Sequence, residues 1–486
     1  MHWLCAPFLC LLSILSPAQT FHRLVDLAGD TGVNPVDGLI QAPDGAFYGT
    51  AISGGANDWG AIFRITSSGS ISAVYSFCPQ PGCHDGALPS AGLSLVPDGN
   101  FFGTTASGGA NEDGTVFKIS PSGAYSRVYS FCELSNCSDG AEPRGTLIQG
   151  VDGNFYGTTF AGGTQSFGTL FRVTRAGVLT TLHSFCLQAL CRDGSAPTAG
   201  LVEGTDQNFY GTASAGGTCG IGFGCGTVFK ITTEGTFSTV YDFCGLPKCA
   251  DGSDPAAGLI LASDGNFYGT THSGGANNGG TIFRITPKGQ LTTLYSFCSQ
   301  SNCADGAEPD AALTQGNDGS LYGTTQFGGD INCNPTYDGM GCGVLFKIDP
   351  HGDYTVLHVF EFSDGAYPEA PLTEATTGKF YGTTYGGGAS ACGASGCGTV
   401  FSLDVGLGPF VSLVRQAGKV GQTGPILGQG FTGTSNVSLN GTPANFTVVS
   451  DTEIKAAVPQ GATNGLVTVD TPSGMLKSNE RFYVLR

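Results

Sequence analysis

Asp330, Asn332, Asn334, Tyr337 and Asp338 crowd into one loop around Cys333 and Cys342, and Trp59 is the single tryptophan beyond residue 20. An aromatic with amide and carboxylate neighbours can hold a sugar. The plainer reading is a disulfide-closed surface loop without a ligand. A second set of candidates is the run of Asp-Gly pairs: Asp44, Asp98, Asp152, Asp264 and Asp318, then Asp85, Asp139, Asp193, Asp251, Asp305 and Asp364. A calcium loop wants oxygen ligands at alternating positions, and the spelling D-x-D-x-D-G is absent. The first set therefore reads as hairpin turns. The second reads as carboxylates that hold a long connection through backbone hydrogen bonds. Calcium is the one cofactor left open, and otherwise none is expected. Gly-Gly pairs in SGGAN, AGGT and FGGD lack the helix and lysine of a phosphate-binding loop. His183 and His358 stand where a repeated YSF motif has tyrosine, which marks them as packing variants. No H-E-x-x-H or G-x-S-x-G occurs, so no catalytic residues are assigned.

The cysteines after residue 20 fall into close pairs: Cys78/Cys83, Cys132/Cys137, Cys186/Cys191, Cys219/Cys225, Cys244/Cys249, Cys298/Cys303, Cys333/Cys342 and Cys392/Cys397. An even count with every member beside a partner points to disulfides in an oxidising compartment. Zinc is the rival, but each pair stands alone in its stretch and no histidine recurs beside it.

The elements that must carry these residues follow from a repeat. DGNFYGTT at 152–159 returns letter for letter at 264–271, and looser copies begin at 44, 98, 206, 318 and 377. The spacing is 54 residues, except for 58 before the fifth copy and 59 before the seventh. A second motif, GTVF or a near spelling, follows every copy, and a third, such as TLYSF, follows most. In the third unit the pattern predicts strands over 146–149, 154–159, 169–174 and 179–185, joined by tight turns at Asp152-Gly153 and Ala176-Gly177. Such a four-stranded meander fits one blade of a β-propeller, which must stack on its neighbours to bury both faces. The seventh unit lacks a fourth strand, whereas FHRLVDL at 21–27 reads as an orphan one. The expected architecture is all-β: a seven-bladed propeller over residues 21–405, closed by the N-terminal strand so that no sheet edge stays open. All paired cysteines then crowd one face, the Asp-Gly turns occupy the other, and every length change falls on the cysteine face. In this scheme Trp59 lies near the seventh unit.

The order DGNFYGTT, GTVFKI, LYSFC-x4-C-x-DGAEP resembles the GloVer tandem repeat of bacterial extracellular proteins, over about 21–405. The resemblance implies an exported or surface protein and supplies no catalytic residues. Residues 409–486 carry neither cysteine nor unit motif. GQGF, VVSDTEIKAAVP and the final FYVLR are similar to the Ig-like IPT/TIG domain, which implies a small β-sandwich acting as spacer or interaction module.

Residues 1–18 have an apolar run from 3 to 15 followed by Ser16-Pro17-Ala18, the pattern of a secretory signal peptide. No later run is long enough to span a bilayer. The formal net charge of −18 argues against a nucleic-acid partner. Localisation is expected to be secreted or cell-surface, with an extracellular glycan or surface protein as partner. Regular repeats without catalytic spelling favour a binding or interaction protein that works through its disulfide-rich face. The alternatives are an extracellular hydrolase or lyase acting on polysaccharide, and a structural matrix protein.

Overall fold

The computed structural model describes residues 19–219, 225–333, 339–388, 392 and 395–485. The chain is all-β, and the helical segments among the described residues are three-residue 3-10 turns. Among the described residues no helix is long and apolar enough to cross a membrane.

The repeated motif builds its strands for local reasons. In the third unit Asp152 accepts the Asn154 N–H at 3.0 Å, which closes the turn, and Gly153 takes φ +84°. The Tyr156 hydroxyl folds back onto the same carboxylate at 2.9 Å. The second strand, Phe155–Thr159, pairs antiparallel with Thr169–Val173, which pairs with Leu179–Ser184. Phe155–Thr159 is buried at every position, because sheets cover it on both faces. Gly157 has to be glycine: an added Cβ would lie 2.8 Å from both Leu147 and the Phe171 ring. The first strand differs from expectation. It is only Ile148–Gln149, since Gly145 lies against the Ala199 backbone and Thr146 donates its hydroxyl to Asp37 of the first unit at 2.5 Å.

Seven sheets of this kind run along the repeats. In the last, Phe380–Thr384 and Thr399–Asp404 are completed by the N-terminal strand Thr20–Asp26, paired antiparallel with Thr399–Asp404. Aromatic side chains stitch one sheet to the next: Phe102 stacks on Phe155 at 4.0 Å, Tyr156 on Phe209 at 4.1 Å, and Phe47 on Tyr381 at 4.2 Å. The last of these joins the first sheet to the seventh. Each fully buried aromatic contributes roughly 1.5–3 kcal/mol relative to an exposed one. Threonine hydroxyls add a second link, as where Thr158 donates to the Ala199 carbonyl at 2.9 Å and Thr373 to that of Leu39.

Past residue 409 a four-stranded and a five-stranded sheet enclose Val411, Ile426, Phe431, Val437, Ile454 and Val469. This C-terminal module sits on the Asp-Gly turns. Thr452 donates to the Pro43 carbonyl at 2.6 Å, Arg415 to that of Val151 at 2.6 Å, and Gln429 to the Thr376 hydroxyl at 2.9 Å. One end of the sheets is therefore occupied by the chain's own tail.

Candidate functional site

Disulfides join all eight neighbouring cysteine pairs: Cys78–Cys83, Cys132–Cys137, Cys186–Cys191, Cys219–Cys225, Cys244–Cys249, Cys298–Cys303, Cys333–Cys342 and Cys392–Cys397. Cys83, Cys191 and Cys397 show what the bridges do for the fold. Cys191 and Cys397 are fully buried, and Cys83 is half-buried. Each is turned inward because its backbone anchors a loop. The Cys83 carbonyl accepts the Gly86 and Gly109 N–H groups at 2.8 and 2.9 Å, that of Cys191 the Gly194 N–H at 2.9 Å, and that of Cys397 the Asn34 N–H at 3.0 Å. Cys83 and Cys191 also take φ +41° and +52°, a left-handed bend that the short bridge closes. These bridges brace the connections.

The periodic aspartates serve the repeat itself. Asp139 is fully buried and accepts the Tyr129 hydroxyl at 2.7 Å and the N–H groups of Glu133 and Leu134 at 2.9 and 3.1 Å. His183 and His358 take the tyrosine's place against Asp193 and Asp364, at 3.2 and 3.0 Å.

Of the loop candidates, Asp330, Asn332 and Trp59 fall within the described residues. Asp330 accepts the Asn332 N–H at 2.9 Å and so turns its own loop, while Asn334, Tyr337 and Asp338 lie outside the described residues. Trp59 is 45% exposed, and its carbonyl accepts the Leu88 N–H of the second unit at 2.9 Å. It thus borders the second unit, because the loop between second and third strands reaches forward to the following connection.

That forward reach builds a different site. In each unit the residue before an invariant proline (Asn34, Leu88, Glu142, Ala196, Asp254, Glu308 and Tyr367) has φ between +51° and +58°. A side chain before proline in this region costs about 1–3 kcal/mol, and it persists only when its surroundings hold it. Here two hydrogen bonds do so. The N–H donates to a carbonyl of the preceding unit at 2.8–3.0 Å, and the carbonyl accepts from the residue after the unit's own second strand at 2.9–3.3 Å. A constant backbone thereby carries side chains that vary from unit to unit, close to the cysteine-bearing connections.

In the fifth to seventh units those side chains include Asp254 and His272, then Glu308, Asp310 and Gln326, then Glu369. His272 places Nδ1 2.7 Å from Asp310 Oδ1 and Nε2 3.5 Å from Glu308 Oε2. The bond to Asp310, with the fields of Asp310, Glu308 and Asp254, outweighs burial and raises the imidazole to about 9. Gln326 donates to Glu369 Oε1 at 2.6 Å. Burial pushes the Glu369 carboxyl up to about 7; Gln326 opposes the shift and Asp310 adds to it. Burial also raises Asp254, an effect the nearby imidazolium offsets. A carboxyl that keeps its proton near neutrality beside a carboxylate gripped by a cation is an arrangement for acid–base chemistry. In the third unit Arg144 pairs with Glu142 at 2.8 Å and lies 3.9 Å over the Phe160 ring, a flat stacked surface.

Motif reading missed these residues because it looked for what repeats. The usable signal was the opposite one: an invariant proline whose neighbours change in every copy.

The model of the Gloeobacter/Verrucomicrobia repeat matches residues 11–223, 190–395 and 302–442. No curated protein matches the chain. Among solved structures, the periplasmic gluconolactonase PpgL of Pseudomonas aeruginosa is 16% identical over 71% of this chain and 95% of its own, with a TM-score of 0.41. An α-L-arabinanase of Penicillium chrysogenum, complexed with arabinobiose, is 10% identical over 80% of this chain and 99% of its own, at 0.42. A gluconolactonase of Xanthomonas campestris is 10% identical over 79% of this chain and 99% of its own, at 0.38. At such identities no residue role passes from them to this chain. These proteins carry the names of enzymes, whereas the sequence reading favoured a binding protein without catalysis.

Proposed function

Because the chain belongs to the Gloeobacter/Verrucomicrobia repeat family, its function has to be built on the repeat, and we propose an exported enzyme that hydrolyses a glycan at the mouth of the cysteine end. In this reading the seven sheets are the blades of a propeller closed by Thr20–Asp26. The tail is an Ig-like module of the IPT/TIG kind, and residues 1–18 are a signal peptide. Eight disulfides support export to an oxidising compartment.

The observation that carries the proposal is Glu369, half-buried and pushed up to about 7, in the field of Asp310, which His272 holds at 2.7 Å. Glycosidic cleavage needs one carboxyl to protonate the leaving oxygen and a second to assist at the anomeric carbon. Glu369 is the acid: desolvation keeps its proton near neutral pH, and Gln326 fixes one of its oxygens. Asp310 is the second carboxylate, and its hydrogen bond to His272 fixes its orientation. The Arg144–Phe160 surface supplies a face on which a sugar ring can lie.

A panel of neutral, uronate and amino polysaccharides, assayed for new reducing ends, tests the reading. Turnover of at least one glycan is expected, with kcat lowered by about 10²–10⁴ in Asp310→Asn, the range for a positioned acid or base. Failure of every glycan, or full activity in the variant, overturns it.

A further inference from the structure

Two disulfides meet where the fourth unit hands over to the fifth. Cys219–Cys225 closes the loop between the fourth unit's second and third strands, and Cys244–Cys249 closes the connection after its last strand. The sulfurs of Cys219, Cys225 and Cys244 lie within 4.8 Å of one another, and among the described residues this is where sulfurs of two bridges come together. Cys225 is buried and Cys219 exposed. Beside Cys249 stands Lys248, where the corresponding loops carry Gly82, Asn136, Leu190 and Asn302. Cys191 also has a cation beside it, Arg192, but among the described residues only the bridge of Cys249 has a second bridge next to it; on a chain of net charge −18, Lys248 favours the approach of an anionic thiol.

We propose that the two bridges form a thiol–disulfide exchange site for a small anionic thiol. The incoming thiolate attacks Cys249 Sγ, forms a mixed disulfide there, and breaks the bond to Cys244, which leaves as a thiolate. Cys244 then attacks Cys225 Sγ; the Cys225–Cys244 bond forms, the Cys219–Cys225 bond breaks, and Cys219 leaves as a thiolate that water protonates. Two disulfides and one thiol stand on each side, so nothing is oxidised or reduced overall. Cys225 is the sulfur attacked because the group expelled is then the exposed Cys219. Attack on Cys219 would strand a thiolate at the buried position. The product ties the fourth unit's loop directly to its connection. Asp254 donates its N–H to the Cys225 carbonyl at 3.0 Å and accepts the His272 N–H at 2.9 Å, so the exchange reaches the backbone beneath the mouth.

The full chain is treated with reduced glutathione, quenched in acid, alkylated, and mapped by peptide mass spectrometry without reduction. The expected product has glutathione on Cys249, a Cys225–Cys244 cross-link and the alkyl label on Cys219, with the other six bridges intact. In Cys249→Ser the label should move from Cys244 to Cys219 with no thiol added. In Cys303→Ser, whose Cys298 has no second bridge beside it, the label should stay on Cys298. A label that remains on Cys244 overturns the proposal, as does glutathione that reacts at other bridges first or not at all. Should Cys249→Ser fail to fold, the glutathione map of the natural chain decides alone. These readouts do not involve glycan turnover, so the exchange and the hydrolase reading stand or fall separately.

Discussion

Carboxylates at periodic positions and carboxylates at the variable mouth are the same chemical group under two regimes. Asp152 takes its hydrogen bonds from Asn154 and Tyr156, and Asp139 from Tyr129, Glu133 and Leu134. Every one of these partners belongs to the acid's own unit, so each copy of the repeat carries its own satisfied carboxylate. Asp310 instead meets His272 across 38 residues, and Glu369 meets Gln326 across 43. Those acids are completed only by a neighbouring unit, and there they act on one another's protons. Acids that keep the period stabilise the unit, and the proposed proton chemistry rests on acids that break it. The tail follows the same division, since it covers the periodic turns through Thr452, Arg415 and Gln429.

Glu369→Gln tests the contrast hardest. It keeps the shape and removes the proton, so kcat on the responsive glycan should fall about 10²–10⁴-fold while the melting temperature holds. In the natural enzyme, activity should fall as pH rises through about 7, as Glu369 loses its proton. An unchanged rate in the variant removes Glu369 from the chemistry.

Asp139→Ala should do the reverse. It strands two part-buried N–H groups and a tyrosine hydroxyl, at a cost of roughly 1–3 kcal/mol, read as a shift in denaturant midpoint. The kcat should not move; a catalytic loss without destabilisation would erase the distinction between the two kinds of acid.

The pH dependence of stability comes next. Folding raises His272 from 6.5 to about 9, so it favours the charged imidazole. The contribution is complete below pH 6.5 and is lost as pH climbs to about 9. With the side chain 26% exposed, the loss is about 2 kcal/mol. His272→Gln should flatten the fall in melting temperature across that window, and an identical fall in the variant would place its origin elsewhere. The smallest effect is expected from Arg144→Ala, which removes a half-exposed ion pair and a stacked guanidinium. It should cost about 0.5–1 kcal/mol or less but raise KM for the glycan more than it lowers kcat. An unaltered KM would take that surface out of substrate binding.

Sheet order and cysteine pairing were legible because both are written locally. Asp152-Gly153 turns the chain within its own hairpin, and Cys132 reaches Cys137 across a sequence separation of 5. Even the unusual last sheet could be foreseen from a missing strand at one end and a spare one at the other. How deep the bridges sit could not be foreseen, because Cys191 and Cys397 are buried by loops that other parts of the chain supply. The mouth was not legible by the same means. Asp254, Glu308 and Glu369 flank the proline that every copy keeps, but at positions whose residue type changes from copy to copy. The length of the first strand was overestimated because its outer residues spend their hydrogen bonds across units, as Thr146 does on Asp37.

The order of residues alone therefore determined the period, the turns, the bridges and the seam at which the first strand joins the last. Each rests on contacts among near neighbours in the chain or on a strand left without a partner. Which acid keeps its proton was decided only in three dimensions. Desolvation of Glu369 and the hydrogen bond between Asp310 and His272 arise when separate units pack side by side, and no local stretch of sequence encodes either.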